Sequence, residues 1–128
     1  MGSLILDASV LIGLLDDADP HHRRAVDDVE SADEAARDLV APASAYSEAM
    51  VAFARVDRIG DARAAIAAMG IRVAPLDTKT AERAAALRAR HRRLRLPDAM
   101  VLATAYELGG GLLSYDERLA RYASVDDP

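Results

Sequence analysis

The sequence predicts an α/β fold in which a central, mainly parallel sheet is flanked by helices. Short apolar runs recur four times, at residues 4–6, 39–42, 71–76 and 112–114. Segments with helical spacing of apolar side chains separate them, so successive strands are joined by crossovers and not by hairpins. The chain has 128 residues, 52% of them apolar. That is enough for one such domain with its own core and leaves no room for a second, so residues 1–128 are expected to form a single domain.

Each element has a local reason. The first run, Leu4 to Leu6, ends at Asp7, and Ser9 opens a short helix over residues 10–15 before the turn formers Asp16, Asp17, Asp19 and Pro20. Pro20 suits the start of a second helix, to about residue 33, with Ala25, Val26 and Val29 facing inward. After the brief strand at 39–42, Ser44 is a suitable N-cap. Tyr46, Met50, Phe53 and Ala54 then recur at helical spacing up to Gly60, and a shorter helix over residues 61–69 stops at Gly70. The strand at 71–76 leads to Thr78 or Thr80 as the cap of a helix that enters an Arg-rich segment. Pro97 opens a helix over residues 98–108, closed by Gly109, Gly110 and Gly111. A last strand at 112–114 precedes a short helix near residues 117–122.

Composition removes several function classes. The absence of Cys excludes disulfides, thiolate zinc sites and cysteine nucleophiles, and makes a cytosolic address the simpler expectation. The N-terminus lacks a basic leader, and no apolar stretch approaches the roughly 20 residues of a membrane span, so a soluble cytoplasmic protein is expected. Sixteen Lys and Arg against 21 Asp and Glu give a net charge of -5, which argues against binding nucleic acid through bulk charge. Fifteen of the cations are Arg, Lys79 being the exception. Arg suits bidentate phosphate contacts, although genomic base composition explains the bias equally well.

Ligand sites in open α/β sheets lie beyond the carboxyl ends of strands, and this rule sorts the acids. Asp7 follows Leu-Ile-Leu, Asp116 follows Leu-Leu-Ser-Tyr, Glu48 lies about two turns into the helix after Leu-Val-Ala-Pro, and Asp98 opens its own helix. Asp7, Asp98 and Asp116 each have a plain alternative as helix-capping or first-turn acids. Glu48 has none, because a mid-helix carboxylate among apolar neighbours needs a partner. Four acids so placed favour one shared cluster. Close carboxylates raise one another's pKa, so the cluster makes sense only around divalent cations. Oxygen ligands suit Mg²⁺ or Mn²⁺, as one ion or two, and phosphodiester hydrolysis is the natural reaction for such a site.

In order and spacing, Leu-Ile-Leu-Asp7-Ala-Ser9, Ser-Ala-Tyr-Ser-Glu48-Ala, Leu96-Pro-Asp98-Ala and Leu-Leu-Ser114-Tyr-Asp116-Glu-Arg-Leu resemble the PIN-domain nucleases. Within them they resemble the VapC-type toxins of toxin–antitoxin pairs. The resemblance covers nearly the whole chain. It implies a PIN-like three-layer fold and an acidic quartet of Asp7, Glu48, Asp98 and Asp116 that binds Mg²⁺ or Mn²⁺. Ser9 and Ser114 fall at the accessory hydroxyl positions, Ser114 standing where Thr is common. The resemblance also implies endonucleolytic cleavage of RNA, a homodimer, and inhibition by a cognate VapB-type antitoxin. The connector over residues 57–70 is short and Ala-rich, so RNA specificity does not carry over.

Arg88, Arg90, Arg92, Arg93 and Arg95 crowd the residues before Asp98. They are candidates for RNA-backbone contacts or, equally, a solvated helix end. No aromatic residues interleave with them, so the expected contact is to phosphate. His21 and His22 are adjacent and point in different directions, and no histidine is assigned to catalysis. A phosphoacceptor module is disfavoured because Asp57 lies in helical sequence and Lys79 starts a helix. An aspartate-nucleophile phosphatase is disfavoured because Ser9 stands where a second acid belongs. The remaining alternative is a non-catalytic PIN-like module that binds RNA or protein.

Overall fold

The computed structural model describes residues 2–125. Four strands form one sheet: β1 (Ser3–Leu6), β2 (Asp38–Pro42), β3 (Ile71–Ala74) and β4 (Gly111–Leu113). Their order is β3-β2-β1-β4 and every pairing is parallel. Among the described residues seven helices flank the sheet: α1 (Ala8–Leu15), α2 (His22–Glu34), α3 (Ala43–Arg55), α4 (Ile59–Ala68), α5 (Thr78–Arg90), α6 (Leu96–Glu107) and α7 (Glu117–Val125).

The parallel arrangement explains the apolar runs. Successive strand residues point to opposite faces, and Leu4, Ile5 and Leu6 are all buried, so both faces of β1 are covered. The α6 helix carries Ala99, Val101, Leu102, Ala103 and Ala105 in buried positions and packs against β1, α3, α5 and α7. Small side chains let the helices lie close to the sheet: Ala25, Ala45, Ala84, Ala99 and Ala103 are fully buried. No described helix is long and apolar enough to cross a membrane.

Connectivity makes β1 the switch point. The chain leaves β1 toward β2 and β3 on one side and returns to add β4 on the other. In such sheets ligands bind beyond the carboxyl ends of the strands at this point, here the ends of β1 and β4.

The element boundaries depart from the sequence expectations where capping chemistry decides them. The caps of α1 and α5 are Asp7 and Asp77, whose carboxylates accept from the N–H groups of Val10 and Thr80, so neither Thr78 nor Thr80 is the cap. Pro42, not Ser44, precedes α3, which starts directly from the end of β2. Gly60 ends no helix. The break comes at Asp57, in the left-handed region with φ 58°, and Gly60 lies in the first turn of α4. There Arg58 N–H donates to Phe53 O and Asp57 N–H to Ala54 O, the six-to-one and five-to-two bonds of a Schellman termination. The same pair closes α2 around Ala36 (φ 57°) and α6 around Gly109 (φ 62°). Only Gly109 carried the expected glycine.

Gly110 has a different task. A Cβ there would meet the Ser3 carbonyl oxygen at 2.7 Å, at the entrance to the β1–β4 pairing. Gly110→Ala is expected to lower the unfolding free energy by about 1–3 kcal/mol, as overpacking does. Ala36→Gly should raise it by up to about 1 kcal/mol by relieving a left-handed alanine. Denaturant titration of both variants against the wild type checks the opposite signs.

Candidate active site

The β1–β4 register builds the site. Leu6 is paired with Leu113, so the residues that follow, Asp7 and Ser114, leave the sheet side by side; Asp7 N–H donates to Leu113 O at 3.3 Å. The Asp7 side chain is 4% exposed and both its oxygens are engaged. Its Oδ1 accepts from the Ser9 hydroxyl at 2.6 Å and from Val10 N–H at 3.2 Å, and its Oδ2 accepts from the Ser114 hydroxyl. Asp7 thus caps α1 and ties it to the residue after β4 at once.

The two serines extend the network. Ser9 Oγ accepts from Tyr115 N–H at 3.0 Å, and Ser114 Oγ accepts from Asp116 N–H at 3.0 Å. The loop after β4 is thereby tied to Asp7 through two hydroxyls. Asp116 is half-buried; its Oδ1 accepts from Arg118 N–H at 3.0 Å and lies 3.9 Å from the Arg118 guanidinium.

The remaining acids come from two helices. Asp98 sits half-buried in the first turn of α6. Burial holds its carboxyl above the ordinary range; Asp116 and Asp7 push the same way, and Arg95 and Arg118 oppose them. Glu48 projects from α3, and although the residue is exposed overall, neighbouring atoms crowd its carboxyl. Lost hydration there, then Asp98 and Asp7, raise its pKa, with Arg95 again opposing. Repulsion therefore links Glu48 to Asp98 and Asp7, and Asp98 to Asp7 and Asp116. Four acids from distant parts of the chain share one electrostatic field. As their side chains stand, no three acidic or histidine residues among those described gather closely enough to hold one ion. The donor chemistry, all carboxylate oxygen with excess negative charge, fits a hard divalent cation.

A cavity of about 530 Å³ opens beside Asp98 and Asp116. Arg93 and Arg95 line it, while Arg88, Arg90 and Arg92 are not part of its wall. Arg118 and Arg121, one turn apart on α7, complete its basic rim. Sequence reasoning passed over these two, although their spacing behind Asp116 was a usable signal.

It also passed over Tyr115. The Tyr115 hydroxyl donates to Asp28 Oδ2 at 2.8 Å, its ring lies 4.9 Å from that of His21, and the Arg24 guanidinium stands 4.5 Å from its centroid. Burial and this hydrogen bond push the phenol well above its ordinary pKa. His22 Nδ1 lies 2.7 Å from Gly13 O, pinning α2 to α1. The start of α2 thus clamps the residue between Ser114 and Asp116. Tyr115→Phe is expected to cost about 1–3 kcal/mol of stability, as for a hydrogen bond to a charged group, while the backbone bond to Ser9 survives. Equilibrium unfolding measures the first, and amide exchange at Tyr115 the second.

Comparison with known proteins places this geometry. The PIN domain family model matches residues 4–125. The fold superimposes on a chain of a toxin–antitoxin complex from Klebsiella pneumoniae with a TM-score of 0.75 and 25% identity, over 96% of this chain and 92% of that one. It superimposes on VapC20 of Mycobacterium tuberculosis, a sarcin-ricin loop cleaving toxin, with a TM-score of 0.71 and 19% identity, over 93% and 94% of the two chains. No curated protein matches the sequence. A match to the family model over almost the whole described chain means that this chain belongs to the PIN-domain family.

Proposed function

We propose that this protein is a divalent-metal-dependent endoribonuclease acting as the toxin of a toxin–antitoxin pair. The observation that carries the reading is the PIN domain match over residues 4–125, on a fold that sets Asp98 and Asp116 at one cavity and Asp7 beside Ser114 at the end of the β1–β4 pairing; the nuclease members of that family use divalent ions. Asp7, Glu48, Asp98 and Asp116 would hold Mg²⁺ or Mn²⁺, one ion or two. Such an ion supplies Lewis-acid stabilisation of charge on phosphate oxygens and lowers the pKa of bound water.

The chain's own groups supply the rest. Ser9 and Ser114 fix the Asp7 carboxylate through hydrogen bonds to both its oxygens. The arginines of the rim attract a phosphodiester to a crevice that an overall acidic protein would otherwise repel. Arg95 and Arg118 also relieve part of the repulsion on Asp98. The net reaction adds water across one phosphodiester bond, the leaving ribose oxygen taking up a proton.

Similarity to a toxin–antitoxin complex supports an antitoxin as partner, of the VapB type that the sequence resemblance implies, and the fold likeness to a sarcin-ricin loop cleaving toxin agrees with RNA as substrate. A homodimer, a single domain over residues 1–128 and a cytoplasmic setting complete the proposal.

Two outcomes are expected of Asp98→Asn. Cleavage of cellular RNA by purified protein, freed of any partner, should require Mg²⁺ or Mn²⁺, stop with chelator, and vanish in the variant. Metal-independent RNA binding without cleavage would move the reading to a binding module. The second outcome concerns stability. The folded-state pKa values of Glu48 and Asp98 lie above their unfolded values, so the native state holds its protons more tightly and loses stability as pH rises through the carboxylate range. Asp98→Asn should therefore raise the melting temperature at neutral pH without divalent ions, by a margin that shrinks in acid. Added Mn²⁺ should raise the melting temperature of the wild type and have less effect on the variant. Thermal melts across pH, with and without the ion, check both signs.

A further inference from the structure

We propose that the cavity beside Asp98 and Asp116 is a nucleotide subsite, which seats one unpaired base of the RNA next to the scissile phosphate. This rests on the ribonuclease reading above. Its volume of about 530 Å³ falls within the roughly 300–1,000 Å³ of ordinary small-molecule sites, and beside the two carboxylates and His91 its lining has a basic and an apolar part. The rim is basic, as a phosphate contact requires. The remainder includes Leu94 and Leu119, 3% and 2% exposed, and the half-buried Tyr122.

An apolar floor does nothing for a phosphate. A base presents a flat π-face and an apolar body, and an aromatic ring with aliphatic neighbours is the surface that receives it. The Tyr122 ring is held edge-on by His91 at 5.1 Å, so it stands as a preset wall. A neighbouring cavity of about 190 Å³ shares Tyr122 and His91 but carries no arginine, which leaves it without a grip on the backbone.

The connectivity supplies the alignment. The α7 helix starts directly after Asp116, so Leu119, Arg118 and Tyr122 are set at fixed offsets from a candidate metal ligand. Arg93 and Arg95 reach the same cavity from the segment that leads into α6 and Asp98. A base on the floor between these walls brings its own phosphate to the two carboxylates. A stacked, paired base cannot enter such a pocket, so the substrate class is RNA with an unpaired or extruded nucleotide at the cut.

The test uses a synthetic RNA that the wild type cuts at a mapped bond. Each flanking nucleotide in turn is replaced by an abasic ribose. At one of the two positions kcat/KM of the wild type should fall roughly tenfold or more, the scale of one lost base–aromatic stack. That penalty should persist in Tyr122→Phe and largely disappear in Tyr122→Ala, in which the partner is already gone. Because Tyr122→Ala risks the packing of α7, an independent measurement uses Asp98→Asn with a 5-iodouridine at the same position. Irradiation should crosslink it to a residue of the cavity wall, identified by mass spectrometry. An equal abasic penalty in folded Tyr122→Ala and wild type, or a crosslink away from the wall, overturns the subsite and leaves the nuclease standing. Failure of the wild type to cut any RNA overturns the nuclease reading and the subsite with it.

Discussion

The parallel pairing of β1 with β4, in the register that sets Leu6 against Leu113, is the constraint on which the site depends. It delivers Asp7 and Ser114 to adjacent positions at the sheet edge, close enough for the serine hydroxyl to donate to the acid. A slip of one residue would turn Asp7 to the other face and separate the pair. The register is guarded from the far end as well, because Gly110 allows an approach to the Ser3 carbonyl that any side chain would block. Tyr115, held by α2, fixes the same loop from a third direction.

Setting Glu48, Asp98, Asp7 and Asp116 within range of one another's charge works against stability, and the packing of the fold opposes their separation. Each is carried by a different element, and those elements meet over a core in which Ile5, Leu6, Val10, Leu11 and Val40 are wholly buried. Moving one acid away would mean moving a strand or helix, with loss of apolar burial worth roughly 1.5–3 kcal/mol per large side chain. Arg95 and Arg118 offset part of the repulsion without abolishing it, since they also serve the rim of the cavity. A local rule is broken at the site and the core compensates, which is how functional sites depart from consistency elsewhere in a sequence.

The parallel sheet and the positions of Asp7 and Asp116 after β1 and β4 were legible because both rest on short-range signals: apolar runs buried on two faces, and acids where a strand ends. The exact terminations were less so. Ala36 and Asp57 adopt left-handed geometry that glycine would normally announce, because the bonds from Arg37 to Ala32 and from Arg58 to Phe53 outweigh the local preference. The basic surface was read from local density, and this favoured the run from Arg88 to Arg95. The cavity draws instead on two of those residues and two from α7, a pairing that only the packing of α7 beside the start of α6 can create. The Tyr115 clamp has the same character, since Asp28 lies 87 residues away in sequence.

The sequence posed capping and ligation as rival roles for the acids, yet capping alone does not exhaust what a carboxylate can accept. A carboxylate offers about four lone-pair directions, and a cap uses one or two. Asp7 accepts three hydrogen bonds and Asp116 accepts one from Arg118 N–H, so both side chains are fixed with at least one lone-pair direction left over. Strand-to-helix junctions are therefore suited to preset acids, since the backbone that must be capped is what holds the carboxylate in place. Asp98 and Glu48 differ: burial and neighbouring charges alone shift them, with no hydrogen bond contributing. The four acids thus divide into two held by hydrogen bonds after strand ends and two on helices whose carboxyls are shifted by burial and neighbouring charge alone.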